Sequence, residues 1–180
     1  MFATKSKMNK RDITVAAVLI SLGFLGRILP HPPNFTPIVA IGLFSGFYFS
    51  LKFSKFLIPL LSMFLSDMII GFYDGIWLNY ISIIASIYIG TRIPVHKLKI
   101  SYTLLAACAS SLSFFVLSNF GVWLTSGMYP HTLEGLLECY VLAIPFYQNS
   151  LAGDCIYSLI LFGMYQLYLK PKESIKVSIK

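Results

Sequence analysis

Six apolar runs, each parted from the next by a short polar stretch, leave this chain few ways to fold. They cover roughly 13–29, 36–51, 56–72, 76–92, 102–124 and 149–169. A helix needs about 20 apolar residues to cross the hydrocarbon of a bilayer, and about 17 suffice when flanking side chains snorkel. The second run falls short of that length. Composition points the same way: 57% of residues are hydrophobic and 12% charged, where soluble domains average about 45–50% and about 25%. The sequence therefore predicts an all-α integral membrane protein, a six-span helical bundle in one domain covering 1–180. A seventh apolar piece, 133–146, carries Glu134 and Glu138 and ends at Pro145. It predicts a short extra helix before the last span, lying at one surface or re-entrant.

The charges test this layout. With the N-terminus inside, thirteen of the fourteen Lys and Arg fall on the inner face, among them Lys5, Lys7, Lys10, Arg11, Lys52, Lys55, Arg92, Lys97, Lys99, Lys170 and Lys180. Only Arg27 falls outside. The positive-inside rule gives this split when the span count is even and both termini are cytoplasmic. The formal net charge of +7 thus belongs to the inner face, where anionic headgroups are its counterpart rather than nucleic acid. Asp67, Asp74, Glu134, Glu138 and Asp154 all lie in the outer half.

Ionisable groups inside a bilayer cost several kcal/mol when unpaired, so each is a functional candidate. Here they gather at the outer ends of the runs. Asp67, Gly71 and Asp74 share one helix stripe, and Asn119 and Trp123 share another. Asn149 and Asp154 open the last run. The stretch RILPHPPNFTP, residues 27–37, interrupts the apolar pattern with four prolines that cannot continue a helix. It predicts a fixed turn that points Arg27, His31 and Asn34 into an outer polar chamber, with Tyr147 beside it. The predicted substrate-binding set is Arg27, His31, Asn34, Asp67, Asp74, Asn119, Trp123, Tyr147, Asn149 and Asp154. Arg27 and one aspartate pair when the site is empty, since neither charge is stable alone there. A plain outer loop with a snorkelling arginine is the simpler alternative.

Other groups are weaker signals. His131, Glu134 and Glu138 fall on one face of a short helix and are weak metal candidates, as are Cys139 and Cys155 for a soft metal; a solvated face capped by Thr132 is the simpler reading of the former. Cys108, Cys139 and Cys155 form no paired motif and read as small packing residues. No phosphate-binding loop is present, so the chain has no ATPase motif, and no cofactor is expected. Ala17 and Ser21 form a small-xxx-small pair that lets another helix approach, as do Gly42 and Gly46.

Together these features resemble the substrate-binding S component of energy-coupling factor transporters. The first-span sequence AAVLISLG is similar to the alanine-rich docking surface of that family, with alanine at only one position of each pair. A closer resemblance is to an uncharacterised bacterial family of transport-related membrane proteins with that fold. It is carried by RILPHPPNFTP, PLLSMFLSD, SNFGVW, MYPHTLEGLLECY, IPFYQNSLAGD and the glycine of LFG, over residues 27–163. The resemblance implies a non-enzymatic uptake subunit in the bacterial cytoplasmic (inner) membrane. It would bind a vitamin or similar micronutrient from outside, with an energy-coupling membrane subunit and ATPases as partners and Ala17 and Ser21 at the docking face. A membrane-embedded enzyme using the outer carboxylates, or a membrane scaffold, are the alternatives.

Overall fold

The computed structural model describes residues 8–94 and 98–177, with side chains through 168. Lys5, Lys7, Lys97 and Lys180, which carry part of the charge pattern, lie outside the described residues, as do the side chains of Lys170, Lys172, Glu173 and Lys176. The described residues form six helices and no strand: α1 (Lys10–Ile28), α2 (Ile38–Tyr48), α3 (Lys52–Ile70), α4 (Ile76–Thr91), α5 (Ile100–Thr125) and α6 (Leu133–Val177). Two of them, α3 and α5, are long and apolar enough to cross a membrane, and α2 and α4 are shorter apolar helices.

Helix α2 is the pillar of the bundle. Its residues from Ile38 through Gly46 are all buried, as expected of a helix that is apolar on every side. It contacts all the other helices, most extensively α4, while α5 packs along α6 and α1 along α3. The α2–α4 approach is backbone to backbone. A Cβ on Gly46 would run into the Ile87 carbonyl and stand 3.2 Å from Cα of Gly90, and one on Gly90 would strike Leu43. The Gly42/Gly46 pair is therefore an internal contact. Ala17 and Ser21 are different: both are exposed on the outer side of α1, whereas Gly23 and Gly26 turn inward against Ser62 and Pro37.

The outward surface is apolar. Phe53, Met68, Leu105, Leu137, Val141 and Met164 are each more than half exposed, far more than a water-facing surface carries.

Three sequence expectations are corrected. The piece at 133–146 is not a separate helix but the first part of α6, a continuous helix of 45 residues. Pro145 does not end it, nor does Pro59 end α3. A proline costs a helix one hydrogen bond, and packing against neighbouring helices offsets that loss. Asn149 consequently sits inside α6 rather than at a helix start. Finally, Asp74 shares no helix face with Asp67. Helix α3 stops at Gly71, whose φ of 105° an L side chain rarely adopts, and Asp74 lies in the turn before α4.

Candidate functional site

The chain from Leu29 to Pro37 crosses the end of the bundle as a loop with all peptide bonds trans and Asn34 in the left-handed region at φ 62°. Asn is among the few residues that tolerate that conformation. Beneath this loop lies a cavity of about 450 Å³. His31, Asn34 and Asp74 stand exposed at its rim, while Ile38, Val39, Met63, Ser150 and Asp154 form its buried interior. Phe114, Phe115, Phe146 and Tyr147 line it from α5 and α6. The Phe115 and Tyr147 rings are 4.5 Å apart between centroids.

One side of the cavity is electrostatically closed. Arg27, in the last turn of α1, reaches one turn of α3. Its Nη1 donates to the Met63 carbonyl at 3.1 Å and to Ser66 Oγ at 2.6 Å, and forms an ion pair with Asp67 Oδ1 at 2.7 Å. The other oxygen of Asp67 accepts from the Tyr80 hydroxyl at 2.7 Å. Asp67 is fully buried, and this network supplies the counter-charge and donor that such a carboxylate requires. The aspartate expected to pair with Arg27 is thus Asp67, which sits behind the cavity wall. Tyr73, in the turn between α3 and α4, accepts from the Asn79 amide.

The facing side is open. Asp154 on α6 is 2% exposed, lines the cavity, and its Oδ2 has no hydrogen-bond partner. Among the described residues no Lys, Arg or His forms an ion pair with it. The Ser111 hydroxyl on α5 is within hydrogen-bonding reach of this carboxylate, and the Ser158 hydroxyl one turn further along α6 is buried without a partner.

Seven of the ten predicted residues therefore line one cavity: Arg27, His31, Asn34, Asp74, Asn119, Tyr147 and Asp154. Asp67 does not line the cavity and is paired with Arg27 behind its wall. Trp123 and Asn149 do not line it. The Trp123 indole N–H donates to the Pro130 carbonyl at 3.0 Å and its ring packs on His131, so it anchors the loop before α6. His131, Glu134 and Glu138 do not form a metal-binding group, since no cluster of three His, Cys, Asp or Glu side chains occurs among the described residues. Thr132 Oγ1 instead accepts from the Gly135 amide as a helix cap. Sequence reasoning missed Tyr80, Asn79 and Ser150. Tyr80 and Asn79 sit in the first turns of α4, where apolar neighbours mask them, and Ser150 follows the Asn149 that drew attention instead.

A family model described as a family of unknown function (DUF6580) matches residues 7–176. The chain belongs to that family. No curated protein and no solved structure matches it. Membership of DUF6580 thus covers every helix of the cavity and assigns no chemistry to it.

Proposed function

We propose that this protein binds a small molecule in the outer-end cavity and serves as the substrate-binding subunit of a micronutrient uptake transporter. The observation that carries this reading is the cavity itself. Its roughly 450 Å³ falls in the range of about 300–1,000 Å³ that small-molecule sites occupy. It has polar groups on an apolar, aromatic lining, at the end of the bundle where Arg27 is the only Lys or Arg among the described residues. The apolar outer surface and the charge asymmetry support a six-span arrangement in the bacterial inner membrane with both termini inside and the cavity facing out. In that arrangement the exposed Ala17–Ser21 face of α1 is free to meet an energising membrane subunit, consistent with the resemblance to S components.

Native mass spectrometry of the protein, purified gently from its own host, tests this. The expected result is a bound molecule of a few hundred daltons that is lost in Ala143→Trp, a change that fills the cavity. A wild-type protein carrying only lipid, or a variant that keeps the molecule, overturns the reading. Release of a chemically altered molecule would move the assignment to an enzyme.

A further inference from the structure

We infer that the ligand of this cavity carries a single positive charge, an organic ammonium or similar cationic group, and that Asp154 is the residue that pairs with it. The inference rests on the cavity being a ligand site and adds the ligand's charge class. Its basis is the charge count of the buried wall. Arg27 contributes one positive charge, and Asp67 at 2.7 Å with the Tyr80 hydroxyl already answers it. Asp154 is then left over: 2% exposed, on the cavity surface, with Oδ2 unpartnered. A buried carboxylate in that state is unfavourable unless it is paired. No cation among the described residues answers it. Ser111 offers the carboxylate a hydroxyl and Ser158 lies buried nearby, neither bringing positive charge, and Asp74 at the rim adds a second negative charge to the approach.

The remainder of the lining says what kind of cation fits. The cavity is far larger than a bare metal ion needs, and the described residues hold no cluster of three metal-ligating side chains. Phe115 and Tyr147 stand together on the lining that also carries Asp154, and aromatic faces attract a desolvated organic cation. Arg27 is locked to α3 and so cannot neutralise Asp154 in the ligand's place.

The test reads the charge preference of the cavity with small organic ions of opposite sign. Ser150 lines the cavity one helical turn before Asp154. Ser150→Cys is made with Cys108, Cys139 and Cys155 changed to alanine, and the full chain is reconstituted in lipid nanodiscs. Labelling rates are measured with trimethylammonioethyl methanethiosulfonate and with sulfonatoethyl methanethiosulfonate, each divided by its rate on a free thiol. The expected cation-to-anion ratio is about tenfold higher with Asp154 than in Asp154→Asn, a size set by one charge acting across a few ångströms of partly polar protein. Asp74→Asn changes the ratio less. An equal ratio in both backgrounds, or one favouring the anion, overturns the inference while leaving the cavity reading intact. Failure of both reagents to reach the cysteine overturns the cavity reading as well. If Asp154→Asn does not fold, Asp154→Glu must keep the cation preference, and losing it counts against the assignment.

Discussion

Asp67 and Asp154 are both buried carboxylates beside the same cavity, yet their surroundings are opposite. Asp67 faces a guanidinium at 2.7 Å and a phenol at 2.7 Å. Asp154 faces aromatic rings and serines and has an oxygen with no partner. A charge answered within the protein holds helices together. A charge left unanswered on a cavity wall is available to something that enters. The α1–α3–α4 side is therefore read as the frame of the site and the α5–α6 side as its working face.

The sharpest way to break that comparison is to remove the acid that is paired. Asp67→Ala strands the part-buried Arg27, and breaking a buried pair costs about 3–5 kcal/mol. Unfolding in detergent micelles should show that loss, and Arg27→Met with Asp67→Leu should recover most of it. A loss below about 1 kcal/mol would mean that the pair does not hold α1 to α3.

The next largest effect is expected at the α2–α4 crossing, which sets where Tyr80 stands relative to Asp67. Gly46→Ala places a methyl against the Ile87 carbonyl and should destabilise by about 2 kcal/mol through overpacking. Ala17→Leu, on the exposed face of α1, should leave stability nearly unchanged. Equal effects at the two positions would put the glycine contact in doubt. Smaller again is Tyr80→Phe, which removes the donor to Asp67 Oδ2 and should cost about 1.5 kcal/mol in the same unfolding assay.

These sites differ in how far the sequence revealed them. Hydropathy marked the first five helices to within a few residues and only the later part of the sixth, because a chain this apolar must hide its backbone polar groups in helices. It failed at Pro145, where the rule that proline ends a helix met a long helix with packing to spare. It also failed at Gly71, where a seven-residue spacing suggested a helix stripe that the glycine terminates. Arg27, Asn119 and Asp154 were legible because polar groups stand out against an apolar background. Which aspartate pairs with Arg27 was not, since that choice depends on α1 packing against α3 rather than on spacing along the chain. Trp123 shows the same limit. Its position one turn beyond Asn119 was read correctly, but the fold spends its N–H on Pro130.

The smallest expected change is also the one with opposite sign. Asp154→Asn keeps the side chain's shape and removes a buried charge that no cation among the described residues answers. Relieving it should stabilise the empty protein by about 1 kcal/mol, seen as a higher midpoint in thermal unfolding. Asp67→Asn should do the reverse, because there the charge holds a partner. Destabilising groups held in place by the surrounding fold cluster at binding and active sites. A lower midpoint for Asp154→Asn would mean that the carboxylate is already answered within the fold. The two acids would then be alike, and the α5–α6 wall would lose its claim to be the face that meets the ligand.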